Sequence, residues 1–389
     1  FIPQNIGLRS DNAIYHCLNG LKICTLVHMK QIKVVPNWAF SDSEGNQLNP
    51  QLFDLLRELH ESGKLTNATK KLGISYRHGW NLIQRWAEFF GTPLVDMQKG
   101  RGASLTNLGE KLLWAEERVL ARLGPQMESL ASELNLEIHQ ALRSDTPVIN
   151  LFASHGYAVA MLPNLVQELQ LNIQYMPSLE GIAAVECGDC QVAGFHLPAQ
   201  LSGSRIYAEY KERLSNPDLR IIRFITRQQG LMVAAGNPKQ IRSLRDLSRE
   251  DVRFVNRQAG SGTSALLNEL LERNSVETGR IKGFTTREFT HSAIAAYVAS
   301  GMADTGLGVE PPARQFSLDF IPVASEHYLL ICLEETLANP AMQRFLSDIR
   351  SERFTDGILT LPGYSCDHSG EVMSVNNLFA ELEMYEPSQ

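Results

Sequence analysis

Cysteine is scarce: six residues, at 17, 24, 187, 190, 332 and 366, in a chain of 389. So few, so far apart, exclude a disulfide scaffold and suit a reducing cytoplasm. Cys187-Gly-Asp-Cys190 has no second pair at zinc-ribbon spacing, so it reads as a turn between two elements rather than a metal or redox site. Nowhere do about 18 uncharged apolar residues run together, so no membrane-spanning helix is expected. Positive charge is in deficit, with 36 Lys and Arg against 43 Asp and Glu and a net charge of −7. That excludes a uniformly basic nucleic-acid coat, though not a local basic patch. What is present, 43% hydrophobic and 20% charged residues, is a globular composition. The length exceeds one ordinary core and predicts two or three domains.

Residues 1–28 lack a clean period and lack a secretory apolar core, because Asn19, Gly20 and Lys22 interrupt it. At Met29 the character changes. Ile32, Val34 and Val35-Pro36 begin an alternating, strand-like run to Trp38 and Phe40. The expectation is a physiological start at Met29, with 1–28 a non-native or disordered leader.

After Asn49-Pro50, Leu52, Leu55, Leu56 and Leu59 recur at helical spacing, and Gly63 stops that helix. A short helix over 65–72 follows. Gly73-Ile74-Ser75 then supplies a turn residue, a core plug and an N-cap for a third helix from Tyr76 to about Phe90. Leu82, Ile83 and Trp86 face inward, and Trp80 belongs with the core rather than with stacked bases. Two strands around Gln98-Lys99-Gly100-Arg101-Gly102 make a hairpin wing. Between Lys64 and Leu105 seven Lys and Arg stand against Glu88 and Asp96, a local +5 offset by −12 elsewhere. Such clustering is the phosphate-neutralising footprint of DNA binding; a solvated charged face is the blander alternative.

The run Ala68-Thr69-Lys70-Lys71-Leu72-Gly73-Ile74-Ser75-Tyr76-Arg77-His78-Gly79-Trp80 resembles the helix-turn-helix of ModE-type molybdate-responsive regulators and, more distantly, of LysR-type regulators. Pro93-Leu94-Val95, the Gly/Lys/Arg tip and Leu105-Thr106 resemble the ModE wing. Gly79 departs from the small helix former usual there, and Asp96-Met97 replaces a basic residue. The resemblance places Ser75, Tyr76, Arg77, Asn81 and Arg85 in the major groove, with Arg77 suited to guanine and Asn81 to adenine. Lys99 and Arg101 would hold phosphates or enter the minor groove. From Asn107 to about Leu142 a long helix carries Leu112, Leu113, Val119, Leu120, Leu123, Met127, Leu130 and Leu134, with Gly124-Pro125 a bend. It is expected to pair with a copy of itself, giving a homodimer or higher homo-oligomer; packing on its own domain is the alternative.

Thr146-Pro147 marks a boundary, after which strands alternate with helices to Leu333, predicting α/β lobes with parallel sheets. Loops at Ser154-His155, Ser178, Arg257 to Ser264 and Thr290-His291 each open a helix, where free N–H groups attract anions. Gly260-Ser261-Gly262-Thr263 lacks the Lys of a phosphate-hydrolysing loop. His155, His196 and His291 have no metal-ligand spacing, so no metal is expected.

Together, the runs 227–233, 254–263, 290–293 and 298–308, with Leu361-Pro362-Gly363-Tyr364, resemble the periplasmic-binding-protein-like domain behind ModE-type winged helices and in some molybdopterin-biosynthesis proteins. Ser264 stands where that family often has Arg, so Arg257 or Arg227 must supply the missing charge. The resemblance implies a type II two-lobed module, crossed near 224–227 and 324–329. It implies a small, oxyanion-like ligand held by Ser154, His155, Ser178, Arg227, Arg257, Ser261, Gly262, Thr263, Thr290 and His291. Asp304 fits equally as a structural cap.

The expected fold is α/β: a winged helix-turn-helix over 29–106, a linker helix over 107–145, a two-lobed domain over 146–378 and a tail over 379–389. The expected function is a cytoplasmic, ligand-responsive transcriptional regulator binding a double-stranded operator. Molybdate, tungstate or a molybdenum-cofactor species is the ligand class the resemblance implies. No nucleophile–base pair or cofactor fingerprint is found, so no catalytic residue and no cofactor are expected. The alternatives are a molybdopterin-pathway protein using the same C-terminal module, and a solute sensor acting on a protein partner.

Overall fold

The computed structural model describes residues 32–34, 40, 41, 43, 45, 47–98, 102–142, 146–200 and 203–384. The expected leader, residues 35–39 of the expected first strand, and the wing-tip residues Lys99 and Arg101 lie outside the described residues. Ile32 to Val34 are not strand; Ile32 instead exchanges backbone bonds with the Asn135 side chain, 2.8 and 2.9 Å.

The described N-terminal elements are two short strands, β1 (Phe40–Ser41) and β2 (Gln47–Leu48), then α1 (Gln51–Ser62), α2 (Leu65–Lys71) and α3 (Tyr76–Phe90). The antiparallel pair β3 (Val95–Gln98) and β4 (Gly102–Leu105) follows. Gly63 and Gly91 close α1 and α3 in the left-handed region, at φ of 62° and 66°. That conformation costs glycine little and other residues more. Ser75 caps α3, accepting from His78 N at 3.1 Å. Leu52, Leu55, Leu56, Leu59, Leu82, Ile83 and Trp86 form one buried core.

Gly79 has a specific packing reason. It is buried where α3 crosses α2, and a Cβ there would stand 2.5 Å from Thr69 Cγ2. The loss of helix propensity, about 1 kcal/mol, is exchanged for close approach.

The long helix α4 (Asn107–Ala141) is capped by Thr106 and contains Pro125. Its buried residues are Gly109, Leu113, Ala131, Asn135 and His139, packed on this chain itself. Of the apolar stripe expected to meet a copy, Val119, Leu130 and Leu134 are exposed, Leu130 by 49%.

The remainder alternates β5 (Val148–Ala153), α5 (Tyr157–Leu165), β6 (Gln170–Tyr175), α6 (Ser178–Cys187), β7 (Val192–Pro198) and α7 (Arg205–Arg213) in one lobe. The strand β8 (Leu219–Val233) leads to β9 (Phe254–Arg257), α8 (Gly262–Arg273), β10 (Arg287–Glu288), α9 (His291–Ala299), β11 (Thr305–Val309) and α10 (Glu310–Gln315) in the other. Then β12 (Asp319–Leu333) returns, followed by α11 (Pro340–Ile349), α12 (Glu352–Leu359), β13 (Tyr364–Ser365), β14 (Val372–Ser374) and α13 (Val375–Met384).

The sheet order is β10-β9-β11-β8-β12-β7-β5-β6. Within each lobe the strands are parallel: β5 with β6 and β7, and β9 with β10 and β11. The expected all-parallel arrangement is corrected by β8 and β12, which pair antiparallel with each other, with β11 and with β7. Each has 15 residues, so at about 3.3 Å per residue each is long enough to serve both lobes. Irregular pairing falls between Pro322 and Ala324 and between Tyr328 and Leu329, where the pair passes from one lobe to the other.

The expected tail is partly structured. Leu378, Phe379 and Leu382 of α13 are buried with Phe195, Tyr207 and Ile221 in the core of the first lobe. The helix after β5 ends at Leu165, because Val166 is already extended.

Candidate functional site

The site is built where the crossing strands meet. Arg227 of β8 stands opposite Glu326 of β12 in register, and its Nε and Nη2 donate to Glu326 Oε2 at 2.9 and 2.8 Å. Both are nearly without solvent contact, 3% and 1% exposed. Burial alone would raise the Glu326 carboxyl, but Arg227 outweighs it and holds the group below its ordinary range. Burial likewise opposes the Arg227 charge, and Glu326 restores it. Two residues along β8, Gln229 lends its Nε2 to Glu326 Oε2 at 2.9 Å and to Thr263 Oγ1 at 3.3 Å.

His196 of β7 faces this pair. Its Nε2 lies 2.6 Å from Ser154 Oγ and 3.4 Å from Arg227 Nη2, and its ring centroid is 4.0 Å from that of Tyr328. Tyr328 donates in turn to the Ser154 carbonyl at 2.9 Å. Burial, then the Arg227 charge, lowers His196 to about 3 against a smaller opposing pull from Glu326. The imidazole is therefore neutral at physiological pH. Nε2 faces two donors and accepts, which leaves the proton on Nδ1, 3.8 Å from Glu326 Oε2. Ser154 and His196 thus form in outline a nucleophile–base pair that the sequence did not reveal, with Glu326 beyond hydrogen-bond reach of Nδ1. Arg227 beside the ring opposes the imidazolium that a general base must become. The chemistry is that of a polar binding network.

Arg257, at the end of β9, is different. Its Nε and Nη1 are shut from solvent and have no hydrogen-bond partner among the described residues. Burial, then the Arg227 charge, lowers it to about 10, with Glu288 opposing weakly. His291 is also buried and lowered, first by burial and then by Arg257 and Arg227. Its Nδ1 has no partner either. Arg227 is neutralised by Glu326 and both histidines are neutral, so one uncompensated positive charge remains, on Arg257. Arg257 is half-buried, and its two enclosed nitrogens have no bonded counter-charge, so an anionic ligand is the remedy the arrangement invites.

The other expected ligand residues divide. Ser154, Arg227 and Thr263 belong to the bonded network, and Gly262 packs against His196. Ser261 and Thr290 spend their hydroxyls on structure. Ser261 accepts from Ser264 N and donates to the Gln258 carbonyl. Thr290 accepts from Ala293 N and donates to the Ala121 carbonyl of α4 at 2.9 Å. Ser178 stands near the buried Tyr210, and His155 turns to Glu128 and Tyr175. Asp304 receives the Arg253 backbone N–H and guanidinium, a structural role. His196, Gln229 and Glu326 were not foreseen as site residues. Their signal was the polar residues set in buried strands beside Tyr328 to Leu333.

The long helix joins both lobes. On the second lobe, Arg118 and Arg122 converge on Glu288, 1% exposed, and Lys111 donates to the Ser300 carbonyl. On the first, Glu128 accepts from the Tyr175 hydroxyl at 2.8 Å. Ser129 and Ser132 accept from the Tyr175 and Ile173 backbone N–H groups of β6. The lobes also touch directly, through Tyr157 and Ser292 hydroxyls 2.7 Å apart. Glu288 is tied to the anion loop as well, since its carbonyl accepts from Gln258 N at 3.0 Å.

At the other end of α4, Arg57 of α1 bonds Glu116 and Glu117, both at 2.7 Å. Ser75, Tyr76, Arg77, Asn81 and Arg85 are all exposed, Tyr76 by 47%, and 77, 81 and 85 recur at i, i+4 and i+8 along one stripe. The basic character is smaller than a count suggests, because Lys71 pairs with Glu58 and Glu61 at 2.7 and 3.2 Å. Among the described residues no helix is long and apolar enough to cross a membrane, and no His, Cys, Asp and Glu grouping could hold a metal ion.

Residues 159–350 match the profile of a PBP superfamily domain. The uncharacterized protein YvgK of Bacillus subtilis (strain 168) is 32% identical over 213 residues, spanning 54% of this chain and 68% of YvgK. The molybdenum-pterin-binding protein MopB of Rhodobacter capsulatus is 24% identical over 198 residues, spanning 44% of this chain and 73% of MopB. Among solved structures, full-length HypT of Salmonella typhimurium, a hypochlorite-specific LysR-type transcriptional regulator, aligns over 78% of this chain and 97% of its own, at 14% identity and a TM-score of 0.42.

Proposed function

We propose, from the premise that this chain belongs to the same family as Bacillus subtilis YvgK and carries a PBP superfamily domain, that it is a one-component, ligand-responsive transcriptional regulator. The observation that carries the sensing half is Arg257, a half-buried cation whose enclosed Nε and Nη1 have no partner among the described residues, beside the neutral His291. A small anion supplies that charge between the lobes, with Arg227, Thr263 and Ser154 around it. Molybdate, tungstate and molybdenum-cofactor species are the first candidates, a choice the name of the MopB relative supports.

The DNA-binding half reads α2, the Gly73 turn and α3 as a helix-turn-helix and β3–β4 as its wing. The exposed stripe of Arg77, Asn81 and Arg85 supports it. A double-stranded operator as partner implies a cytoplasmic site of action. Exposed Val119, Leu130 and Leu134 on α4 support a homodimer, which matches a palindromic operator. Helix α4 relays lobe position to the DNA reader, since it is bonded to both lobes and, through Arg57, to α1.

The test is a gel shift on the DNA upstream of the gene, with and without molybdate or tungstate. The wild type binds, and the oxyanion changes the affinity. Arg77→Ala with Arg101→Ala weakens binding by about 100-fold or more, since a base contact and a phosphate contact are both lost. Unchanged affinity in that variant refutes the DNA reader. An oxyanion without effect on either binding or thermal stability refutes the metal-oxyanion ligand.

A further inference from the structure

The buried network holds an unused acceptor as well as unused donors. Gln229 is fully buried, and its Nε2 is committed to Glu326 Oε2 and Thr263 Oγ1. The amide cannot be turned over. Its oxygen would then face the ionised Glu326 carboxylate at 2.9 Å, acceptor against acceptor. Gln229 Oε1 therefore points away from both partners, and it has none of its own among the described residues. The Gln229 amide nitrogen spans from Thr263 at the start of α8 to Glu326 of the Arg227–Glu326 pair. A buried amide oxygen left unmatched carries a desolvation penalty that a donor would remove.

Resting on the anion-sensor reading, we infer that the ligand is a monoanion that also carries an N–H or O–H donor, and that Gln229 is the residue selecting for it. Arg257 takes the anionic group, and Gln229 Oε1 accepts from the donor. A fully deprotonated tetrahedral oxyanion offers acceptors only. It satisfies Arg257 and leaves Gln229 unmatched, so it binds as an incomplete ligand. Specificity of this kind is strong, because a ligand without the donor strands a buried group.

The test uses the full chain and matched probes in isothermal titration: pyrrole-2-carboxylate, whose ring carries N–H, and furan-2-carboxylate, of nearly the same shape without it. Molybdate and sulfate serve as bare oxyanions. Pyrrole-2-carboxylate binds about tenfold tighter than furan-2-carboxylate and tighter than either oxyanion. Gln229→Met removes that ratio while furan-2-carboxylate still binds. The wild-type ratio stands by itself should the variant not fold. Equal wild-type affinities, oxyanions bound as tightly as pyrrole-2-carboxylate, or a ratio that survives in Gln229→Met overturns the inference alone. Binding of furan-2-carboxylate that is indifferent to Arg257→Ala, or no binding by any of the four probes, overturns the anion-sensor reading and this inference with it.

Discussion

Arg122 grips Glu288 with two nitrogens, Nε at 2.7 Å and Nη2 at 2.8 Å, across 166 positions of sequence. Arg118 adds a third contact at 3.1 Å. Both arginines lie on α4, whereas Glu288 lies beside the loop that opens α8. The bond is therefore a joint between the second lobe and the helix that leads to the α1–α3 elements.

Removing both arginines leaves Glu288 buried and unpaired. Arg118→Ala with Arg122→Ala is expected to cost about 3–5 kcal/mol, read from urea unfolding. Where the variant remains folded, it is also expected to bind its anion while DNA affinity no longer responds. A stability within about 1 kcal/mol of wild type would show the joint to be idle.

Gly79→Ala tests the helix crossing. Helix propensity alone predicts a gain of about 1 kcal/mol, whereas the 2.5 Å approach to Thr69 Cγ2 predicts a loss of about 1–3 kcal/mol. The loss is expected to win. Thr69→Ser, which keeps the hydroxyl bond to the Leu65 carbonyl and removes Cγ2, should restore most of it. A double-mutant cycle on thermal midpoints measures this, and additive effects would rule out the contact.

The buried histidines set an acid limit. His196 is lowered to about 3 and His291 is lowered too, both first by burial. A folded value below the unfolded one means that the stability is fully present above about pH 6.5 and is lost as pH falls. Each histidine then contributes a slope of about 1.4 kcal/mol per pH unit, up to about 4 kcal/mol for the two by pH 5. In His196→Asn the slope between pH 6.5 and 5 should fall by about half. An unchanged slope would assign the acid sensitivity elsewhere.

Arg257→Met is expected to do two opposite things. It removes a half-buried charge with two unpartnered nitrogens, so the anion-free protein gains up to about 1 kcal/mol. It also removes the thermal shift that anions produce in the wild type. Loss of stability in the anion-free variant would mean that the charge is already compensated.

Much of the chain was legible because its signals are local. Gly63, Ser75 and Gly91 mark helix ends by conformational freedom or capping, and the first three helices fall where those residues place them. Beyond Thr146-Pro147 the strand–helix alternation begins with β5 at Val148. The crossing strands were harder. Arg227 and Gln229 interrupt an apolar run, and only Glu326, 99 and 97 positions away, explains how they can be buried. The loops that open α8 and α9 were located, but the duties of their hydroxyls were not. Capping by Ser261 is local, yet Thr290 also bonds Ala121 of α4, 169 positions distant. Ligand assignment from a loop sequence cannot see that a donor is already engaged.

The serines of α4 have a last consequence. Strand β6 ends the sheet, and its outward N–H groups at Ile173 and Tyr175 are met by Ser132 and Ser129 rather than by another strand. The helix is a lateral cap against sheet-to-sheet polymerisation. Cutting the chain at the apparent domain boundary near residue 146 would uncap it. A fragment that keeps this edge covered must retain Ser129 and Ser132, so the two-lobed unit takes with it part of the helix that its sequence sets apart.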